Sequence, residues 1–156
     1  MRVLVISHGH PAFSIGGAEM ASYNLFEGLN RLPDTEAFYL ARAAHPLARH
    51  RQTPLMSLRQ GARESFLWAD DYDHFLISNR ATDDLAGGFR RYLRDVRPDV
   101  VHFHHFIGLG VEALWEVRRT LPDAKVVITF HEYLSICLHH GQMVKTQKKR
   151  LCSRAS

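Results

Sequence analysis

The sequence predicts an α/β fold, a doubly wound, mainly parallel Rossmann-like sheet with helices on both faces, and three observations carry that prediction. Short apolar runs rich in β-branched residues, Val3-Leu4-Val5-Ile6, Val100-Val101 and Val126-Val127-Ile128, read as strands buried on both sides. Between them, apolar residues recur at spacings of three and four, as one face of a helix requires. Runs of the two kinds alternate along the chain, which is the order that builds a parallel sheet with crossover helices.

In chain order, Arg2 to Ser7 is the first strand, cut off by Ser7-His8-Gly9-His10-Pro11. After a loop over 8–16, Ala18, Ala21, Leu25, Leu29 and Leu32, with Ser22 and Phe26 alongside, predict an amphipathic helix that Pro33-Asp34 ends. Glu36 to Ala41 is a second strand. Residues 42–63 hold two prolines and no clean period, so the stretch 42–82 is expected to be an irregular excursion. Within it, Ser65–Ala69 and His74–Ser78 are expected as short strands flanking the turn Asp70-Asp71-Tyr72-Asp73.

A helix is next, over Thr82–Val96, with Leu85, Phe89, Tyr92, Leu93 and Val96 on one side. Gly87 and Gly88 weaken it by about 1 kcal/mol each relative to alanine, and Arg97-Pro98-Asp99 ends it. Val100–His104 is a strand, Gly110–Leu121 a helix expected to send Val111, Leu114, Trp115 and Val117 to the core, and Lys125–Thr129 a further buried strand. Strand, helix and strand with short connections imply a parallel pair joined by a right-handed crossover. There is no internal repeat and no low-complexity segment.

At 156 residues the chain can bury about 70% of its unfolded surface, enough for one core and not for two. Its formal charge of +4 is local: Lys145, Lys148, Lys149, Arg150 and Arg154 lie in the last 12 residues, leaving 1–144 at −1. Basic and aromatic residues do not interleave on any element, which argues against nucleic-acid binding. Two cysteines, Cys137 and Cys152, are too few for a disulfide scaffold. The first apolar run is too short for a signal-peptide core or a membrane span, so a cytoplasmic location is expected, free or peripheral at the inner membrane face.

Ligands of open parallel sheets bind beyond the carboxyl ends of the strands. The segments leaving those ends are polar here: Ser7, His8, Gly9 and His10, then Gly16-Gly17 opening a helix; His104-His105; and His131-Glu132-Tyr133. Two glycines before a helix allow an anion to reach backbone N–H groups at the positive end of the helix dipole; the alternative is a plain flexible loop. His102 and His104 share a strand face and, with His131, could approach metal-ligand geometry, although hydrogen-bonded histidines lining a cleft are the favoured reading and no metal is expected. His131 is the candidate catalytic residue, able to donate to a sugar hydroxyl or a developing anion. Glu132 either orients groups beside it or caps the turn at Tyr133-Leu134. Cys137 and Cys152, with His139-His140 between them, fit half a zinc site, a disulfide or two unrelated thiols.

Taken together, Val3-Leu4-Val5-Ile6-Ser7, Gly16-Gly17-Ala18-Glu19, Arg97-Pro98-Asp99-Val100-Val101-His102-Phe103-His104 and Val127-Ile128-Thr129-Phe130-His131-Glu132-Tyr133 resemble the amino-terminal half of family 4 retaining glycosyltransferases. The resemblance implies the GT-B fold, two Rossmann-like domains facing each other across a cleft, with this chain as the acceptor-side half. It implies that Gly16 and Gly17 approach a donor diphosphate, that His131 contacts the transferred sugar, and that His104 and His105 face the acceptor, with His8 and Glu132 among the substrate-binding residues. Sugar would pass from a nucleotide diphosphate sugar to an acceptor glycan, lipid or small molecule with retention of configuration and without a cofactor.

Such enzymes carry their nucleotide-binding residues, a Glu-x7-Glu motif among them, in a second domain. Glu19 and Glu27 have that spacing but fall in the other half, and their pairing is read as accidental. The expectation is therefore that residues 1–136 form one Rossmann-like domain. Residues 137–156 would be a basic, disordered tail leading to a missing carboxyl-terminal domain, without which the chain is inactive. Two other classes stay open: a non-catalytic α/β ligand-binding or regulatory module, and a histidine-lined metal hydrolase.

Overall fold

The computed structural model describes residues 1–44, 53–57, 63–80, 82–131, 133, 137, 144–145 and 149–151. Its strands are β1 (Arg2–Ser7), β2 (Glu36–Ala43), β3 (Leu55–Ser57), β4 (Glu64–Trp68), β5 (Tyr72–Asp73), β6 (Ser78–Asn79), β7 (Val100–His104), β8 (Lys125–Thr129), β9 (Val144–Lys145) and β10 (Arg150–Leu151). Its helices are α1 (Gly17–Leu29), α2 (Thr82–Val96) and α3 (Glu112–Thr120). Six strands form one sheet in the order β3-β4-β2-β1-β7-β8, parallel throughout except for β3, which runs antiparallel on β4.

The expected α/β sheet with helices on both faces is present, and side-chain alternation along β1 builds it. Val3 and Val5 point to one face, where they pack with Ala37, Tyr39, Phe66 and Phe26 of α1. Leu4 and Ile6 point to the other, against Leu85, Phe89 and Leu93 of α2 and Ala113 and Val117 of α3. Each such aliphatic side chain, once fully buried, contributes about 1.5–3 kcal/mol. Gly88 has a use inside α2: a Cβ there would overlap the ring of Pro54, so its absence lets the chain entering β3 lie on the helix.

Three expectations about facing residues change. On α1 the buried residues are Glu19, Ser22 and Phe26, while Ala21 is exposed and Leu32 lies beyond the helix, half exposed. On α3 Trp115 is 67% exposed and Glu116 is buried in its stead, because Arg90 of α2 reaches its carboxylate at 3.1 Å. His74–Ser78 is not a strand; Tyr72–Asp73 and Ser78–Asn79 pair across a turn that leaves Phe75 and Leu76 exposed. Asp73 holds this turn by accepting the N–H groups of Phe75 and Leu76 at 2.9 and 3.0 Å.

The amino-terminal ends of the central strands are tied through Asp99. Its carboxylate accepts the N–H of Arg2 at 2.7 Å, its own N–H donates to Arg2 O, and its carbonyl accepts from Lys125 N. One residue thus joins the starts of β1, β7 and β8. Within 137–156, β9 and β10 pair antiparallel, and Cys137 is a buried free thiol; Cys152, His139 and His140 lie outside the described residues.

Candidate functional site

The register of the sheet places Ser7, His104 and Thr129 side by side at the carboxyl ends of β1, β7 and β8. The residues that leave these ends, His8, His105 and His131, therefore gather on one edge, together with the start of α1. Glu132 lies outside the described residues.

The glycine pair divides in function. Gly16 is the N-cap of α1, and the space a side chain would take there is filled by the Glu19 carboxylate, which a Cβ would overlap. At Gly17 nothing beyond its own turn of helix lies within 4 Å of a would-be Cβ among the described residues, which leaves the helix start open. Glu19 is 6% exposed. Its Oε1 lies 3.2 Å from His8 Nε2 and accepts from Ser14 Oγ at 3.2 Å, while Gly9, whose Cβ would come within 2.9 Å of that oxygen, makes room. A buried carboxylate in the first turn is further stabilised by the positive end of the helix dipole. Glu27 is exposed and, among the described residues, meets only Arg31, at 3.7 Å, so the two glutamates have unrelated surroundings.

His10 is buried in the same loop. Its Nδ1 accepts the Ala12 N–H at 3.1 Å, which puts the ring proton on Nε2, 2.9 Å from Glu64 Oε2. Phe13, Tyr23, Tyr39 and Phe66 surround the ring. Tyr39 OH contacts Ser22 Oγ at 2.8 Å and donates to Gly9 O at 3.3 Å, tying β2 to the loop and to α1; burial raises its pKa.

On the other side of β1, His102, His104 and His131 face no carboxylate among the described residues. His102 Nε2 lies 2.8 Å from Thr129 Oγ1, and His104 Nδ1 lies 3.0 Å from His131 Nε2. The three rings form a column, with centroids 4.5 Å apart for His102 and His104 and 5.2 Å for His104 and His131. Burial, then His102 and His131, push the pKa of His104 down to about 4; burial and His131 lower that of His102. His104 is thus neutral at physiological pH and buried, whereas His131 is exposed.

His105 is buried with φ +74°, a left-handed backbone that only a constrained loop imposes on a residue with a side chain. Its Nδ1 accepts the N–H groups of Phe106 and Ile107 at 3.0 and 3.1 Å, which fixes the ring proton on Nε2.

The structure therefore brings Gly16, Gly17, His8, His104, His105 and His131 to one edge, but only Gly17 and His131 leave an open face. Among the described residues no group of three or more His, Cys, Asp or Glu is arranged to hold a metal ion, and His104 and His131 direct nitrogens at each other. Glu19 enters the sequence reading only as part of a motif and is given no role there; its place in the first helical turn, two residues after Gly17, is the available signal. Among the described residues no helix is long and apolar enough to cross a membrane.

No curated protein matches the chain. A sequence profile described as the glycosyl transferase 4-like domain matches residues 16–156, from the N-cap of α1 through β10. The chain belongs to that family and carries a glycosyltransferase-type domain.

Proposed function

We propose that the chain is the amino-terminal, acceptor-side half of a retaining glycosyltransferase of GT-B architecture. The enzyme would move a hexosyl group from a nucleotide diphosphate sugar to an acceptor hydroxyl, and this half would be inactive without a carboxyl-terminal Rossmann-like domain. The observation that carries the reading is the meeting of an open helix start at Gly17 with the exposed His131 on one edge of a glycosyl transferase 4-like domain. An unobstructed helix N-terminus suits the leaving diphosphate, and an exposed imidazole suits a sugar hydroxyl.

In the proposed reaction the acceptor oxygen bonds to the anomeric carbon on the face from which the diphosphate departs, and the departing phosphate oxygen takes the hydroxyl proton. The domain supplies no nucleophile. Its contribution is fixed dipoles: the N–H groups at the open start of α1 and the ring N–H of His131, aimed where charge develops. Glu19 has the separate task of holding His8 and the loop from which α1 starts. No cofactor is needed for this chemistry. The reading also places the chain in the cytoplasm, with peripheral membrane contact if the acceptor is a lipid.

The test is a titration of the ¹⁵N-labelled chain with UDP-glucose and GDP-mannose, followed by amide shifts, alongside an assay for sugar release. Shifts at Gly17 and His131 with no turnover are expected. Shifts confined to the opposite edge, around Asp99 and Leu121, would overturn the site, and turnover by this chain alone would overturn its proposed dependence on a second domain.

A further inference from the structure

We propose that His104 is a positioning residue that dictates which nitrogen of His131 carries the ring proton, so that His131 presents an Nδ1–H donor at the open edge. The use of that donor rests on the reading that His131 faces the transferred sugar; the tautomer itself does not.

The key contact is the 3.0 Å approach of His104 Nδ1 to His131 Nε2. One proton occupies that contact, and it belongs to one ring or the other. If His131 supplied it, neutral His104 would have to keep its own proton on Nε2. That nitrogen is buried and has no hydrogen-bond partner among the described residues. An orphaned buried N–H is rarer in proteins than an under-satisfied acceptor, and leaving either unpaired costs desolvation. The proton of His104 therefore lies on Nδ1 and is donated to His131 Nε2, which must be bare. Neutral His131 then carries its proton on Nδ1, where it meets no protein partner among the described residues.

Burial and the two neighbouring imidazoles keep His104 neutral, with its pKa at about 4, so the doubly protonated ring does not compete. His102 does not enter the chain of bonds: its Nε2 is used by Thr129 Oγ1, and it meets His104 only by ring contact. Free imidazole side chains prefer the proton on Nε2, so the structure inverts the intrinsic preference at His131. At His105 the backbone enforces the ordinary tautomer. Two histidines on one edge thus carry their protons on different ring atoms, and of the two only His131 presents its donor at the surface.

The test is long-range ¹H–¹⁵N correlation of the histidine rings in the labelled 156-residue chain at about pH 8.5, where an ordinary imidazole is neutral, with His131 assigned by His131→Gln. The wild-type chain is expected to show His131 protonated at Nδ1 and bare at Nε2. His104→Phe is expected to return His131 to the Nε2–H form. His104→Asn, whose amide can donate from nearly the same point, is expected to keep the Nδ1–H form. An Nε2–H tautomer at His131 in the wild type overturns the proposal, as does an unchanged Nδ1–H tautomer in folded His104→Phe. If His104→Phe does not fold, the wild type and His104→Asn decide, and Nε2–H in either overturns it. No nucleotide sugar takes part in the measurement, so failure here and failure of the transferase reading are separately visible.

Discussion

Around the β1–α1 loop, His8 and His10 each face a carboxylate, Glu19 at 3.2 Å and Glu64 at 2.9 Å; at β7 and β8, His102, His104, His105 and His131 bond instead to a hydroxyl, to backbone N–H groups or to one another. The first arrangement packs rings tightly against fixed acceptors, which makes it a brace. The second joins rings to a hydroxyl, to backbone groups and to one another, so its dipoles can meet developing charge. Histidine number alone, eleven in this sequence, says nothing of that division.

Removing the brace should have the largest effect. His10→Ala empties a site ringed by four aromatics and takes the nearest partner from Glu64, leaving, among the described residues, Tyr23 OH at 3.2 Å. A loss of about 3 kcal/mol in urea denaturation is expected; a loss under about 1 kcal/mol would mean that the loop is not anchored there. Next, Gly16→Ala must displace Glu19 and should cost about 1–3 kcal/mol. Gly17→Ala, with open space around it, should be neutral or slightly stabilising, by up to about 1 kcal/mol. Equal effects at the two glycines would erase the distinction between them.

The β7–β8 side should reveal itself through pH. His104 has an ordinary value of 6.5 and a folded value of about 4, so the unfolded chain binds more protons between those limits and stability rises with pH there. The stabilising preference for neutral His104 is complete above about 6.5 and is lost as pH falls toward about 4. The urea midpoint should drop across that window, less steeply in His104→Phe. His102, shifted in the same direction, adds a smaller part. The smallest expected effect is Thr129→Val, which removes one hydrogen bond to His102 and should cost about 0.5–1.5 kcal/mol by the same assay.

Much of the architecture is legible in the sequence because strands buried on both faces need no partner to be recognised. Arg2–Ser7, Val100–His104 and Lys125–Thr129 are observed with the boundaries their apolar runs predict, but Lys125–Thr129 is the sheet's edge strand, with Val127 43% exposed, and not the buried strand its run suggests. Apolar spacing misassigns the face of α1 because it counts only apolar residues. The buried row there runs through Glu19 and Ser22, whose partners, His8 and Tyr39, come from the loop after β1 and from β2. Trp115 and Glu116 exchange places for a similar reason, since Arg90 on another helix makes burial of Glu116 tolerable. The hairpin at 72–79 and strand β3 depend on pairing that local pattern does not encode. At the site, residue types and the sheet edge are visible in the sequence; which nitrogen faces which is not, because that is set by Å-scale register between β7 and β8.

The Asp99 staple at the far end of the sheet bears on how such a domain diversifies. Because three strand starts are fastened by one residue remote from the site, residues at the other edge that face solvent, such as His131, can be exchanged without unpicking that fastening. A substitution there that altered ligand preference would leave it intact. The molecule is in this sense modular along its strands, with permanence assigned to one end and novelty to the other.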